Sequence, residues 1–222
     1  MTLKLVVFDI DGTLSDSQAM IFGAMSAAFG AAGLPAPDLA QVLRIVGLSL
    51  PQAVARLAPT LAPDVAASVV DNYKNSYSSK RAVAPAPLYP GALECVQRLS
   101  ARDDLLLGIA TGKSRRGLDA LLRHHGLGQY FVTRQVADDH PSKPNPAMLF
   151  AAMKETGVGA SDAVMIGDTT FDVEMGAAAG LATVGVSWGY HPVAELLGAG
   201  VDRMADSFDA VEAAVNELLG GA

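Results

Sequence analysis

Cysteine is almost absent from this chain. Cys95 is the only cysteine among the 222 residues, so no disulfide can form within the chain. A chain without disulfides is typical of a reducing compartment, and we expect a cytoplasmic protein. Cys95 lies in GALECVQRL, where apolar residues recur at helical spacing. This pattern favours a packed side chain over a reactive thiol.

Basic charge and long apolar runs are also scarce. The chain has 16 Lys and Arg against 23 Asp and Glu, a formal net charge of −7. This balance argues against a nucleic-acid partner but is compatible with a small phosphorylated metabolite, which needs only local positive charge. No run is long and apolar enough to span a membrane, so we expect no membrane partner. The apolar part of LKLVVF is too short for a secretion signal, and acidic residues follow it at once.

Hydrophobic residues, by contrast, make up 50% of the chain, enough for a substantial core. Short apolar runs predict buried parallel strands at 3–8, 105–110, 163–166 and 182–186, with a weaker candidate at 130–133. Helical patterns lie between the later strands, in SRRGLDALLRHHG and NPAMLFAAMKETG, and each ends at a glycine. Strands that alternate with helices predict an α/β fold with a parallel sheet covered on both faces.

A helical insertion interrupts this alternation. About a hundred residues separate the first two confident strands, whereas a simple βαβ unit needs about thirty. Helical patterns fill the surplus at 18–32, 38–46, 50–58 and 64–79. The proline-rich stretch SSKRAVAPAPLYPG predicts an extended return link. We therefore predict a core domain of residues 1–16 and 83–222 and a helical cap domain of residues 17–82.

Four polar clusters follow the predicted strands or lie in loops beside them. They are Asp9, Asp11, Gly12 and Thr13 in DIDGT; Thr111 and Gly112; Lys143 in SKP; and Gly167, Asp168 and Asp172 in GDTTFD. Open α/β sheets bind ligands at the carboxyl ends of their strands. Each cluster alone has an ordinary structural explanation as a turn, a helix cap or a solvated lysine. Their conjunction in this order points instead to one site.

The four motifs resemble those of the haloacid dehalogenase superfamily, the aspartate-nucleophile phosphohydrolases, over the whole chain. The helical insertion resembles the cap of the phosphoglycolate phosphatase and β-phosphoglucomutase branch. The resemblance implies a Rossmann-like core with Asp9 as the nucleophile and Asp11 as the general acid and base. It also implies a Mg²⁺ ion, held by the Asp9 and Asp168 side chains and the Asp11 backbone carbonyl. The second aspartate favours phosphate chemistry, because the halide-removing relatives lack it.

The resemblance assigns supporting roles to further residues. Thr111 would bind a phosphoryl oxygen, Lys143 would neutralise charge, and Asp172 would orient the groups around the metal. We expect further phosphate or substrate contacts from Gly12, Thr13, Gly112, Lys113, Gly47 and Ser49. Arg115 and Arg116 either contact an anionic substrate or decorate a helical turn, and the sequence leaves both readings open.

The predicted cap loop departs from the branch pattern. In GLSLPQAV, Gly47 and Ser49 fit the expected start, but Pro51 and Gln52 stand where Arg or Glu is expected. Pro51 is equally explained as the first residue of a helix. The sequence therefore names no substrate. We expect Arg44 to be a solvated surface residue and His191 to be a loop residue rather than a catalyst.

These features together predict a Mg²⁺-dependent phosphatase, monomer or homodimer, that hydrolyses a small phosphate monoester through an aspartyl-phosphate. The substrate would be phosphoglycolate-like or a sugar phosphate. One alternative is a β-phosphoglucomutase-type isomerase, which returns the phosphoryl group to a sugar. Another is a binding protein that keeps the fold without turnover, against which the complete set of site residues argues.

Overall fold

The computed structural model describes residues 2–83 and 85–220. Residues 1, 84, 221 and 222, which the predicted core domain includes, lie outside this range. The division at residues 17 and 82 stays a prediction.

A six-stranded sheet, parallel throughout, forms the centre of the molecule. Its strands are β1 (Lys4–Phe8), β2 (Leu105–Thr111), β3 (Phe131–Val136), β4 (Ala163–Gly167), β5 (Ala182–Val186) and β6 (Arg203–Ala205). Their spatial order is β3-β2-β1-β4-β5-β6. The α/β prediction is confirmed. The sequence missed β6, because its three residues Arg-Met-Ala carry no recognisable apolar run.

Ten α-helices are described alongside the sheet. They are α1 (Gln18–Ala31), α2 (Leu39–Leu43), α3 (Leu50–Leu57), α4 (Pro63–Val83), α5 (Ala92–Ser100), α6 (Arg115–His124), α7 (Ala147–Thr156), α8 (Thr170–Ala179), α9 (Val193–Gly198) and α10 (Phe208–Leu219). None of the described helices is long and apolar enough to cross a membrane.

Strand β1 shows why the sheet is covered on both faces. Its residues from Leu5 to Phe8 are fully buried. Because side chains alternate along a strand, Leu5 and Val7 enter one hydrophobic cluster while Val6 and Phe8 enter another. Cys95 on α5 is buried in the second of these clusters, as its sequence context predicts.

Helices α1 to α4 form the insertion between β1 and α5. All four predicted helical segments contain a helix, although α2 is shorter than 38–46 and α4 extends beyond 79. The insertion has its own hydrophobic cluster, built around residues such as Met25, Val42 and Val69. Phe171 and Tyr190, which follow β4 and β5, join the same cluster. The insertion therefore packs directly on the loops at the carboxyl edge of the sheet.

Strand order places the predicted motifs side by side. Strand β1 lies at the centre, between β2 and β4. Parallel pairing brings the carboxyl ends of these three strands to the same edge. The segments that follow them contain DIDGT, Thr111-Gly112 and GDTTFD.

Candidate active site

The DIDGT turn at the end of β1 carries two buried carboxylates. The backbone N–H of Asp9 still donates to the carbonyl of Ile166 in β4, at 2.9 Å, so the strand pairing fixes its position. Gly12 then adopts a φ of 90°, and a Cβ there would collide with the carboxylate of Asp168. Glycine is therefore needed for both the turn and the close approach.

A buried group of carboxylates lies between β1 and β4. Oxygens of Asp9, Asp168 and Asp172 lie within 4.8 Å of one another, and all three residues are buried. Lys143 Nζ lies 3.1 Å from Asp9 Oδ1 and 2.6 Å from Asp172 Oδ1, and the Lys143 side chain is fully buried. One ammonium group thus pairs with two of the three carboxylates, so the buried group contains more acidic than basic side chains.

The three carboxylates differ in their hydrogen bonds. Asp168 accepts from the Thr13 hydroxyl at 2.8 Å and from the Tyr190 N–H at 2.9 Å. Asp172 accepts from the Thr169 hydroxyl at 2.7 Å as well as from Lys143. Neither oxygen of Asp9 has a hydrogen-bond partner in the described part of the chain. Lys143 contacts Asp9 as an ion pair without hydrogen-bond geometry.

Burial and mutual repulsion shift the ionisation of this group. Burial raises the pKa of Asp9 to about 7, although Lys143 opposes the shift. Burial also raises the pKa of Asp168 well above its usual value, and the neighbouring Asp172 and Asp9 add to this effect. For Lys143, burial alone would lower the pKa, but Asp172 and Asp9 raise it above its usual range.

Asp11 faces different partners. The Ser17 hydroxyl donates to Asp11 Oδ1 at 2.5 Å, and Lys113 Nζ lies 2.8 Å from the same oxygen. Lys113 also donates to the hydroxyl of Tyr77 on helix α4, at 2.9 Å. Burial alone would lower the pKa of Lys113, but Asp11 and Tyr77 raise it above its usual range. Lys113 therefore links Asp11 to helix α4 of the insertion.

The loop after β2 makes a second contact with the insertion. Thr111 is buried, and its hydroxyl accepts from the Lys113 N–H at 3.2 Å. A Cβ on Gly112 would lie 2.5 Å from the carbonyl oxygen of Gly47 and 2.7 Å from that of Leu48. The missing side chain of Gly112 thus allows the predicted cap loop to lie directly on the predicted phosphate loop.

A cavity of about 520 Å³ opens between the insertion and the carboxyl edge of the sheet. Predicted site residues in its wall are Asp9, Asp11, Gly47, Ser49, Thr111, Gly112 and Lys113. Five others do not line it: Gly12, Thr13, Lys143, Asp168 and Asp172. Lys143 contacts Asp9 and Asp172, whereas Gly12 and Thr13 contact Asp168.

Several residues in or beside the cavity were missed at the sequence level. Tyr73, Tyr77 and Arg81 of α4 line the cavity, and Ser17 holds Asp11. Tyr73, Tyr77 and Arg81 are four residues apart, so they lie on one face of the helix. This spacing could have indicated from the sequence that they share a surface.

The structure also gives the contacts of the residues whose roles were undecided, or predicted to be structural, from the sequence. Arg116 lines the cavity, whereas Arg115 pairs with Asp139 at 2.6 Å. Arg44 is exposed and pairs with Glu195. His191 accepts from the Thr170 N–H at 3.2 Å through Nδ1. Pro51 lies in the first turn of α3 and also lines the cavity.

Comparisons with known proteins place this chain in a family. A family model described as haloacid dehalogenase-like hydrolase matches residues 6–186. The protein named "Probable phosphatase IndB" of Dickeya dadantii is 34% identical over 219 residues, with 97% of this chain and 94% of the relative covered. The phosphoglycolate phosphatase of Pseudomonas savastanoi pv. phaseolicola is 33% identical over 202 residues, with 86% and 73% covered.

Solved structures give the same result. A predicted phosphatase from Clostridium acetobutylicum superposes with a TM-score of 0.87 at 25% identity, over 98% of this chain and 100% of the other. A haloacid dehalogenase-like family hydrolase from Streptococcus pneumoniae superposes with a TM-score of 0.84 at 25% identity, over 96% and 98%. The resemblance inferred from the motifs is confirmed. This chain belongs to the haloacid dehalogenase-like hydrolase family.

Proposed function

We propose that this protein is a Mg²⁺-dependent phosphatase that hydrolyses a small organic phosphate monoester through an aspartyl-phosphate intermediate. The observation that carries the proposal is Asp9. Its carboxylate lines the cavity, is buried among two further carboxylates and a lysine, and accepts no hydrogen bond within the described chain. A buried carboxylate without hydrogen bonds destabilises the folded protein, and a chemical role would explain why it is present.

The residues around Asp9 fit a hard divalent cation. Three carboxylates with oxygens within 4.8 Å of one another form an all-oxygen donor set, and their excess charge calls for a cation. The side chains of Asp9 and Asp168, with the backbone carbonyl of Asp11, would hold Mg²⁺, while Asp172 orients Lys143 and Thr169. When bound, the ion neutralises negative charge between nucleophile and phosphate.

The proposed reaction has two steps. Asp9 attacks the phosphorus atom, the bond to the ester oxygen breaks, and Asp11 donates a proton to the leaving alcohol. Asp11 then removes a proton from the water that attacks the aspartyl-phosphate, which releases inorganic phosphate and restores Asp9. Thr111 and the backbone N–H group of Gly112 would stabilise the charge on the phosphoryl oxygens, and Lys143 would offset the charge of Asp9. The expected phosphate contacts of Gly12 and Thr13 do not fit the structure, because their N–H groups donate to the carbonyls of Ser15 at 2.9 Å and Ile10 at 3.2 Å.

The substrate proposed is phosphoglycolate-like or a sugar phosphate. Relatives named phosphoglycolate phosphatase support a phosphoglycolate-like substrate. In the cavity, Lys113 provides a buried positive charge, and Gly47 and Leu48 bring cap-loop backbone close to Gly112. Ser49 also lines this cavity. A monomer or homodimer in the cytoplasm would meet such metabolites.

Phosphate release from a panel of esters tests the proposal. The panel contains phosphoglycolate, several sugar phosphates and a nucleoside monophosphate, each with Mg²⁺ and with chelator. Turnover that needs both Mg²⁺ and Asp9, as shown by its loss in Asp9→Asn, is the expected result.

Two other outcomes would contradict hydrolysis. Interconversion of sugar phosphates without net phosphate release would point to the isomerase. Folded, Mg²⁺-loaded protein that neither hydrolyses nor isomerises any ester would point to the binding protein.

A further inference from the structure

A second cavity, of about 270 Å³, adjoins the first between helices α4 and α6. Four residues line both cavities: Tyr77, Arg81, Lys113 and Gly117. The remaining wall of the second cavity consists of Pro85, Ala86, Ala120, Leu121, Arg123 and His124. His125 Nε2 lies 2.9 Å from the Ala86 carbonyl, which ties the return link to helix α6 beside this wall.

The charged side chains around the second cavity are all basic. Its lining includes Arg81, Lys113 and Arg123 but no Asp or Glu. Arg116 faces the first cavity from the same helix as Arg123. This is unusual in a chain with seven more acidic than basic residues.

The arginines here also lack the carboxylate partners that five of the other arginines have. Salt bridges to carboxylates hold Arg44, Arg98, Arg102, Arg115 and Arg203. Within residues 2–83 and 85–220, Arg81, Arg116 and Arg123 form no salt bridge. Arg81 and Arg123 line the second cavity, whose wall contains no carboxylate, and guanidinium groups in such a place can bind a carboxylate or phosphate ligand.

Gly117 and Lys113 lie at the junction between the cavities, because both residues line both of them. Gly117 has no side chain, and a Cβ there would lie 2.9 Å from Lys113 Cγ. Lys113 itself reaches from this junction to the Asp11 carboxylate, 2.8 Å away. A ligand that contacts Asp9 and Asp11 in the first cavity can therefore extend past Lys113 into the second.

Cavity size supports an extended ligand. A volume of about 520 Å³ lies in the range that encloses drug-sized molecules, well above the needs of a two-carbon acid. The second cavity adds room at the positively charged end.

We propose that the second cavity binds an anionic group of the substrate that lies several bonds away from the phosphate to be hydrolysed. The substrate class is thus a phosphate monoester whose leaving group carries a remote carboxylate or phosphate. The proposal rests on the proposed function for the placement of the reacting phosphate.

Two matched compounds test it. Sorbitol 6-phosphate and 6-phosphogluconate share six carbons and one phosphate and differ only in an alcohol or a carboxylate at carbon 1. Binding of both to the Asp9→Asn protein with Mg²⁺ is measured by titration calorimetry. We expect 6-phosphogluconate to bind at least ten-fold more tightly. Equal binding of the two compounds would overturn the proposal.

Substitutions in the second cavity test whether the preference for the carboxylate arises there. Arg123→Met and Arg81→Met, each in the Asp9→Asn background, are expected to remove most of the preference for the carboxylate. Ala120→Trp, which fills the second cavity from helix α6, is expected to weaken binding of 6-phosphogluconate and to leave binding of phosphoglycolate unchanged. Arg115→Met is the matched control, because Arg115 lies in the same helix, pairs with Asp139 and lines neither cavity. A loss in this control equal to that in Arg123→Met would also overturn the proposal.

This experiment separates the two proposals. A carboxylate preference without any phosphate release by the wild-type protein supports the second site and contradicts the phosphatase. Mg²⁺-dependent and Asp9-dependent phosphate release without a carboxylate preference supports the phosphatase and contradicts the second site.

Discussion

Among single residues, Asp9 lies in an arrangement that is unfavourable for folding. Three carboxylates are buried together, Lys143 pairs with only two of them, and Asp9 accepts no hydrogen bond in the described part of the chain. A buried charge without such partners destabilises the folded state. Functional residues often carry this kind of cost.

We expect Asp9→Asn to stabilise the protein in chelator, by about 1 to 3 kcal/mol at pH 8. Because the folded-state pKa of Asp9 is raised to about 7, the folded state binds more protons than the unfolded state between the usual carboxyl pKa and pH 7. Wild-type stability is therefore lost as pH rises through this window, and the gain from Asn is smaller at pH 5. Urea unfolding at both pH values measures the difference.

The control for this variant is Asp202→Asn. Asp202 accepts from the Thr183 N–H at 2.8 Å and from its hydroxyl at 2.9 Å, so its charge is satisfied. This substitution should be neutral or destabilising. Lower stability of Asp9→Asn than of wild type in chelator would contradict our account of the buried charge.

His191 gives a prediction with the opposite pH dependence. Burial lowers its pKa, and Nδ1 must be unprotonated to accept from the Thr170 N–H. The unfolded state therefore binds a proton more readily, and this stability is present above pH 6.5 and lost as pH falls. His191→Asn keeps an acceptor without the titration. We expect urea unfolding between pH 7.5 and 5.5 to show a smaller loss of stability in this variant.

The exposed His124 supplies the comparison, since His124→Asn makes the same substitution at the surface. An equal flattening of the pH profile in both variants would contradict the role of His191 burial.

At the scale of elements, the close contact between two loops holds the site together. The loop after β2 meets the loop between α2 and α3, with Gly112 against Gly47 and Leu48. Both opposing atoms are backbone carbonyl oxygens, so neither can rotate away as a side chain would. The relative position of these loops therefore depends on the absence of a Cβ at residue 112.

We expect Gly112→Ala to lower kcat/KM by about 10- to 100-fold with the fold retained, because displaced loops misplace the groups that hold the phosphoryl oxygens. Ester hydrolysis and circular dichroism measure the two effects. Gly159→Ala is the matched control, because no atom lies within 4 Å of the added Cβ. Full activity in Gly112→Ala would show that the loop contact is dispensable.

Local sequence also explains how helix α8 presents its carboxylate. Thr169 caps this helix and its side chain accepts from the Asp172 N–H, while Asp172 accepts in return from the Thr169 N–H. This capping box occurs within four consecutive residues and is visible in GDTTFD. The position of Asp172 next to Lys143, from a loop 29 residues earlier, is not visible there.

At the scale of the whole molecule, the carboxylates from β1 and from the segment after β4 unite only in the folded state. A divalent ion that needs both segments binds the folded chain in preference to the unfolded chain and stabilises it. We expect millimolar Mg²⁺ to raise the melting temperature of the wild-type protein, and chelator to reverse the rise. At 100 times the dissociation constant the gain is about 2.7 kcal/mol.

Calorimetric melting of Asp168→Asn checks this expectation, because the rise should shrink or vanish in this variant and persist in Asp202→Asn. A melting temperature that does not respond to Mg²⁺ in the wild-type protein would contradict a metal site at these carboxylates.

The class of fold and the acidic groups of the site could be predicted from the amino-acid sequence. Buried strands such as 163–166 are continuous apolar runs, and the helices around them end at glycines, because these signals depend on near neighbours in the chain. The motifs DIDGT and GDTTFD likewise supplied the carboxylates. Strand β6 escaped prediction because three residues at the edge of a sheet need little apolar character.

Which of these groups meet could not be predicted from the sequence, because it depends on how distant segments pack. Lys113 contacts both Asp11 and Tyr77, and the second cavity forms where α4 passes α6. Such contacts join residues far apart in the chain, and they depend on how the insertion packs on the sheet. The burial of each charged group follows from this packing. An aspartate in an exposed turn keeps its usual pKa, whereas burial at the end of β1 raises the pKa of Asp9.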